Sequence, residues 1–183
     1  MAAVIHAWRH PRADGATGRC IGRTDLAVDP RRAKRLAHRI RAFERRHGLP
    51  RIVVTSDLAR SAAVGRWLAR WGWMHRVDAA LAELDFGGWD GLPWQAVPRD
   101  AFDAWCAAFE QHAPGGGESV AALLQRVRGF HPGDARAVVT HGGWLSAALW
   151  LAHSDGTAPR GESWPAAPRH GSRTDVVLQG LDR

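Results

Sequence analysis

The chain has 183 residues, a formal net charge of +7 and two cysteines; 45% of its residues are hydrophobic and 23% are charged. This length and balance predict one folded domain over residues 1–183 and exclude a disordered chain or a disulfide-rich scaffold. The sequence has neither the layout of a signal peptide nor a run of about 20 apolar residues, so we expect a cytoplasmic protein with no membrane partner.

The positive charge is compatible with either nucleic acid or a small anion as the partner. The densest basic run, residues 31–41, falls on one predicted helix and is interpreted as its solvated face. Because no aromatic-interleaved basic platform accompanies it, a small anionic substrate is favoured over nucleic acid. Cys20 and Cys106 are predicted to be free thiols, and no cluster of ligand residues predicts a metal or another cofactor.

The first predicted strand, residues 4–8, is a short apolar run that ends at Arg9 and His10. The carboxyl ends of buried strands are where open α/β sheets bind ligands. Arginine holds an anion and a neutral histidine attacks one, although this pair on its own is also typical of a polar strand exit. The loop that follows, residues 11–28, is too long for a simple connector and is expected to be functional.

A helix is predicted from Asp29 to about residue 47, and a second strand, residues 52–55, leads into another helix. Ser56 or Asp57 is the expected N-cap of that second helix, and Arg60 lies in its first turn. Because a helix N-terminus already favours an anion, Arg60 is a candidate phosphate ligand; a surface position is the plainer alternative.

Residues 81–92 combine acids, glycines and aromatic side chains and fit neither helical nor strand periodicity. Glu83 and Asp85 are two positions apart, so they would share one face of an extended segment. A carboxyl group held beside Phe86 and Trp89 is a candidate general acid, with an ordinary acidic loop as the alternative.

In the second half of the chain, a helix is predicted over residues 98–112 and a triple glycine, residues 115–117, is interpreted as a turn or hinge. The triple glycine neither follows a strand nor precedes a lysine, as it would in a nucleotide-binding loop. Ser119 is expected to cap a helix that extends to about Arg128.

A weak strand is predicted around Val77. A third strong strand, residues 137–140, ends at His141 and two glycines before a helix predicted over residues 145–153, and residues 174–178 are predicted as a closing strand. The pattern repeats that of the first strand, with a histidine at the carboxyl end. This alternation of strands and helices predicts an α/β fold with a mostly parallel sheet flanked by helices.

Five side chains stand at these strand exits and helix starts: Arg9, His10, Arg60, Glu83 and His141. Together they are expected to form a pocket for a tetrahedral dianion. Without a predicted metal, phosphoryl transfer needs a protein nucleophile, and a neutral histidine qualifies if its other ring nitrogen is held by a hydrogen bond.

Five short motifs in this order and spacing resemble the histidine phosphatase superfamily, which has the phosphoglycerate mutase-like fold. They are Arg9 with His10, residues 56–60, Glu83 with residues 86–91, residues 116–119, and residues 141–143. The resemblance runs from residue 4 to about residue 150, and it implies a three-layer sandwich and a phosphomonoester hydrolase.

The resemblance implies that His10 is the nucleophile and becomes a phosphohistidine, while Arg9, Arg60 and His141 bind the phosphoryl group. It also implies that Glu83 protonates the leaving oxygen and then deprotonates the attacking water. Three further residues complete the predicted phosphate-binding set: Gly22, Arg23 and Gly142.

The sequence departs from the family pattern just after the nucleophile, where many members continue with Gly-Glu and a later Asn that contacts phosphate. Here that stretch contains Pro11, Arg12, Ala13 and Ala16. Backbone groups or Thr17 are the predicted replacements for the missing contact.

Residues 20–26 resemble the corresponding loop of α-ribazole-5′-phosphate phosphatases of cobalamin synthesis. Trp89 and Trp94 are candidates to stack on a benzimidazole base, with core packing as an equal alternative.

The other hypotheses for the function of the protein are a broad-specificity phosphatase, a phosphoglycerate mutase-like enzyme, a protein phosphohistidine phosphatase, and a catalytically silent anion- or protein-binding module. The oligomeric state and the contacts of residues 159–170 are left open.

Overall fold

The computed structural model describes residues 3–154 and 156–178. The strands are β1 (Ala3–Arg9), β2 (Ile52–Thr55), β3 (Met74–Val77), β4 (Ala137–Thr140) and β5 (Arg173–Leu178). The helices are α1 (Pro30–His47), α2 (Ala59–Ala69), α3 (Arg99–Ala107), α4 (Val120–Arg128) and α5 (Gly142–His153). No described helix is long and apolar enough to cross a membrane.

The strands form one sheet in the order β3-β2-β4-β1-β5. The first four strands of this order are parallel, and β5 pairs antiparallel with β1 at the edge. The carboxyl ends of β1, β2 and β4 therefore lie side by side along one edge of the sheet. The predicted α/β fold with a mostly parallel sheet is confirmed.

Side chains of neighbouring strand residues alternate between two hydrophobic layers, as the pleat requires. Ile5 and Val138 pack in one layer with residues of α4 and α5. Trp8 and Val139 pack in the other layer with residues of α1 and α2. The sheet thus lies between two layers of helices, which is the expected three-layer arrangement.

The N-cap predicted for α2 is wrong. The first N–H of the helix, that of Ala59, donates instead to Oδ1 of Asp25, 34 positions earlier and 2.6 Å away. Ser56 is buried and its hydroxyl lies 2.6 Å from Nε2 of His141. A contact between distant segments has therefore replaced the local cap.

Two other helix boundaries differ from the prediction. α3 ends at Ala107 because Ala108 has φ −123° and ψ 47°, and Phe109 lies beyond the helix. α5 begins at Gly142, directly after His141, and not at residue 145. The early start matters for the site because it places N–H groups without intrahelical partners next to His141.

The two cysteines differ in their accessibility, which gives a direct test of the fold. Cys106 is exposed, whereas Cys20 is buried and burial raises the pKa of its thiol to about 12. We expect a thiol-reactive dye at pH 8 to modify one cysteine rapidly in the folded protein and both in denaturant, because only a thiolate reacts. Cys106→Ser is the matched control and should remove the rapid phase; rapid reaction of two thiols in the native protein would contradict the fold.

Candidate active site

Two histidines meet at the sheet edge because the strands that carry them are neighbours. β1 pairs in parallel with β4, with Arg9 opposite Thr140, so His10 and His141 leave the sheet together. Their ring centroids are 4.8 Å apart, with an angle of 55° between the planes.

The imidazole of His10 is held in one tautomer. Its Nδ1 lies 2.6 Å from the carbonyl oxygen of Pro11. A carbonyl only accepts hydrogen bonds, so Nδ1 carries the proton and the lone pair is on Nε2. Burial, together with the charge of Arg60, lowers the pKa of His10 well below its usual value. The ring is therefore neutral near pH 7 and can act as a nucleophile through Nε2.

His141 is fully buried against Ser56, whose hydroxyl is 2.6 Å from its Nε2. Within the part of the chain that the structure describes, its Nδ1 has no hydrogen-bond partner. Burial, and to a lesser extent the neighbouring His10, lowers the pKa of His141 well below its usual value. Ser56 thus orients the ring through Nε2, and His141 packs against His10 without itself lining the cavity.

Arg60 is 1% exposed and is held by the turn at residues 22–24. It donates to the carbonyl oxygens of Thr24 at 2.8 Å and Gly22 at 2.6 Å. The carboxylate of Asp90 accepts from the N–H groups of the same turn and, at 2.6 Å, from the Thr24 hydroxyl. Burial alone raises the pKa of Asp90, but these hydrogen bonds outweigh it and lower the pKa. Sequence reasoning missed this role of Asp90.

Gly22 and Arg23, both predicted to bind phosphate, lie off the wall of the cavity. The N–H groups of both residues donate to Asp90, and the Gly22 carbonyl accepts from Arg60. A Cβ at Gly22 would stand 2.2 Å from the carbonyl oxygen of Leu84, so the close approach requires glycine. Gly22 therefore holds Arg60, and Arg23 lies in the turn that Asp90 holds.

Arg9 lies at the cavity wall beside the start of α5. Its guanidinium donates to the Pro168 carbonyl at 2.8 Å, and a Cβ at Gly142 would stand 3.0 Å from its Cζ. Among the described residues, the Nε atoms of Arg9 and Arg60 have no hydrogen-bond partner although both are buried. Two buried guanidinium groups with unused donors favour an anionic ligand.

Glu83 is 8% exposed and its carboxylate caps α5. The Gly143 N–H is 2.9 Å from Oε1 and 3.1 Å from Oε2, and the Leu84 N–H is 3.0 Å from Oε1. Asp85, two positions further on, accepts from the N–H of Gly87 at 2.8 Å within a local turn.

The cavity has a volume of about 400 Å³ and two chemically different ends. Arg9, His10, Arg60 and Glu83 line the polar end. Aromatic side chains line the other end: Phe86, Trp94, Trp105, Phe109 and Trp164.

Only one of the two tryptophans proposed for base stacking reaches this cavity. Trp94 lines it and is 38% exposed, whereas Trp89 is 6% exposed and packs with Cys20 and Val97 in a small core cluster. Thr17, one predicted replacement for the family Asn, is exposed and lies off the cavity wall, while Ala16 lines it.

Sequence reasoning missed His170, which lines the cavity beside His10. Its ring centroid is 5.2 Å from that of His10, and its Nδ1 is 3.2 Å from the His10 carbonyl oxygen. β5 runs antiparallel to β1, so the residues that precede β5 lie where β1 ends; the sequence predicted this strand but not its direction. The segment of residues 159–170 therefore closes one side of the site through Trp164, Pro168 and His170.

Within residues 3–154 and 156–178, no three His, Cys, Asp or Glu side chains are grouped so that they could hold a metal ion.

The model of the histidine phosphatase superfamily, branch 1, matches residues 5–176. The fold and this match define an enzyme that acts on phosphate esters, and the chain belongs to the histidine phosphatase superfamily.

Comparison with solved structures agrees with this assignment. The chain is 26% identical to mycobacterial hydrolase 1, with a TM-score of 0.73 over 97% of this chain and 91% of that one. It is 25% identical to mycobacterial glucosyl-3-phosphoglycerate phosphatase in complex with VO3, with a TM-score of 0.72 over 98% and 97%. It is 27% identical to TTHB049 of Thermus thermophilus, with a TM-score of 0.66 over 97% and 98%. No curated protein matches the chain significantly.

Gly143 tests the placement of the Glu83 carboxylate. A Cβ at Gly143 would stand 2.3 Å from Oε1 of Glu83. We expect Gly143→Ala to displace this carboxylate and lower kcat for an alkyl phosphate by about 100-fold, the lower end of what general acid–base catalysis contributes. Gly129→Ala is the matched control, because a Cβ there meets its nearest neighbour at 3.5 Å. Equal activity of the two variants would contradict this placement.

The buried histidines predict an acid-sensitive stability. Because the folded-state pKa values of His10 and His141 lie well below 6.5, the unfolded chain binds protons that the folded chain does not as the pH falls below about 6.5. We expect the free energy of unfolding to decrease there by up to about 1.4 kcal/mol per pH unit and histidine. Urea unfolding at several pH values between 7.5 and 5.5 measures this free energy. The slope of the free energy of unfolding against pH should be smaller for His10→Asn than for the wild type, and an unchanged slope would refute His10 as a cause.

Proposed function

We propose that the protein hydrolyses phosphate monoesters without a metal ion, through a phosphohistidine at His10, and that its substrate is α-ribazole 5′-phosphate. The observation that carries the mechanism is the hydrogen bond between Nδ1 of His10 and the Pro11 carbonyl. It leaves Nε2 with its lone pair in a cavity that Arg9 and Arg60 also line.

In the first step, Nε2 of His10 attacks phosphorus in line. The P–N bond forms while the ester P–O bond breaks, and its electron pair stays on the leaving oxygen. The carboxyl group of Glu83 protonates that oxygen. Oε1 of Glu83 accepts from two N–H groups, so Oε2 is the oxygen with more room to carry the proton.

In the second step, water attacks the phosphohistidine. The Glu83 carboxylate takes a proton from this water, the P–N bond breaks, and inorganic phosphate and neutral His10 are restored. The same carboxyl group thus acts first as general acid and then as general base, and this fits its position between the cavity and α5.

The cations stabilise the charge that develops on the phosphoryl oxygens in both steps. Arg9, Arg60 and Nδ1 of His141 are the donors; for His141 this requires a proton on Nδ1 while the Ser56 hydroxyl donates to Nε2. Each donor of this kind contributes on the order of 3 to 4 kcal/mol. The complex of a structural neighbour with VO3, an oxyanion that resembles phosphate, supports an oxyanion site in this fold.

The aromatic end of the cavity supports an ester whose leaving group carries a flat base. Ring centroids of Trp105 lie 6.1 Å from Phe86 and 5.4 Å from Phe109, so the rings form one continuous surface. Such a surface suits the benzimidazole of α-ribazole better than a sugar acid, which needs polar partners.

A broad-specificity phosphatase is the second candidate. It is favoured by the rim of the cavity, where Trp94 is 38% exposed and the exposed Arg19 also lines the wall. An open rim admits leaving groups of different shapes.

Phosphate release in the presence of EDTA tests the mechanism and the substrate together. We expect α-ribazole 5′-phosphate to have a higher kcat/KM than ribose 5-phosphate, because the two esters leave as similar alkoxides and only the first has a base to cover the aromatic wall; p-nitrophenyl phosphate is the third ester of the panel. His10→Ala should lose at least about 1,000-fold in kcat, as the loss of a nucleophile does, and should form no alkali-stable phosphoenzyme.

The exposed His131→Ala is the matched control and should keep full activity. Equal kcat/KM for the three esters would keep the mechanism and assign the broad-specificity alternative. Activity retained in His10→Ala, or abolished by EDTA, would overturn the mechanism.

A further inference from the structure

The segment that carries Glu83 is held by side chains. Between the end of β3 and Asp85, the one regular element is a short turn at Ala79–Leu81. The carbonyl oxygens of residues 80–83 nevertheless all accept hydrogen bonds. Their donors are Nε1 of Trp144 at 2.9 Å to Ala80, the Thr140 hydroxyl at 2.7 Å to Leu81, and Arg126 at 3.0 Å to Ala80, 2.7 Å to Ala82 and 3.4 Å to Glu83.

Arg126 is in turn oriented by Glu118, the acid of the motif at residues 116–119. Its Nε is 2.9 Å from Oε1 of Glu118 and its NH2 group 2.6 Å from Oε2, a bidentate pair whose side chains are 17% and 15% exposed. Glu118 also makes two hydrogen bonds with the backbone of Asp85. The Glu118 N–H donates to the Asp85 carbonyl at 2.8 Å, and the Asp85 N–H donates to Oε2 of Glu118 at 3.4 Å. The pair therefore contacts the backbone on both sides of Glu83.

We propose that Arg126 and Glu118 are positioning residues that keep the Glu83 carboxyl group within reach of the leaving oxygen. Neither residue lines the cavity, so they act through the backbone of residues 80–85 and not on the substrate. One terminal nitrogen of Arg126 donates to the carbonyls of Ala80 and Ala82, while Nε and the other terminal nitrogen donate to the Glu118 carboxylate. The single nitrogen of a lysine cannot make all of these bonds, so the planar guanidinium is needed. This inference rests on the proposed role of Glu83 as general acid.

The dependence of the rate on the leaving group tests the proposal. p-Nitrophenolate leaves without being protonated, whereas the alkoxide of a sugar phosphate must be protonated as it leaves. kcat/KM reports the steps up to P–O cleavage and is measured for p-nitrophenyl phosphate and ribose 5-phosphate. We expect Arg126→Lys to lower kcat/KM about 10-fold or more for ribose 5-phosphate and less than about 3-fold for p-nitrophenyl phosphate, a fraction of the range for general acids. The charge of Arg126 is one of those that lower the pKa of His141, and lysine at this position keeps that charge.

The ratio of the two kcat/KM values does not depend on how much of a sample is folded, so partial misfolding leaves the test valid. Glu118→Gln should shift the ratio in the same direction by a smaller factor. Arg128→Lys, at an exposed position of α4, is the matched control and should leave it unchanged. An unchanged ratio in Arg126→Lys, with a shifted ratio in Glu83→Gln, would overturn the positioning role alone; an unchanged ratio in Glu83→Gln would overturn the proposed acid itself.

Discussion

The parallel pairing of β1 with β4 is the constraint on which the site depends. The His10 N–H donates to the Thr140 carbonyl at 2.9 Å. The pairing of the two strands therefore continues up to His10 itself and to Thr140, the residue before His141. Because both strands end at the same edge, the two histidines leave the sheet together, and β5, antiparallel to β1, brings His170 to the same place. Imidazoles from distant parts of the chain thus meet here: His10 and His170 line the cavity, and His141 packs against His10 behind its wall.

Around these imidazoles, the arginines are held mainly by backbone carbonyls. Arg9 donates to Pro168 and Arg60 to Gly22 and Thr24. A carbonyl oxygen satisfies an N–H donor without cancelling the charge, whereas a paired carboxylate would neutralise it. The positive charge at the cavity is therefore not cancelled, and it adds to burial, which is the main cause that lowers the pKa values of His10 and His141.

Two carboxylates lie behind the wall of the cavity. Asp90 holds the turn that holds Arg60, and Glu118 pairs with Arg126. Glu83 is different because it reaches the cavity, where it accepts from the first turn of α5. The two acids that orient a cation or the backbone are thus separated from Glu83, the acid that we propose exchanges a proton.

The sequence alone determined the family, the α/β class, most strands and helices, and the main residues at the strand ends, because hydrophobic periodicity and the residue that follows each buried run are local properties. It did not determine that Ser56 orients His141 instead of capping α2, or that Trp89 packs in the core while Trp94 reaches the cavity. It also did not determine that Gly22 accepts from Arg60, that Asp90 holds the same turn, or that His170 lines the cavity. These were decided by tertiary structure, since each depends on which distant segments meet at one edge of the sheet, and no local pattern records that contact.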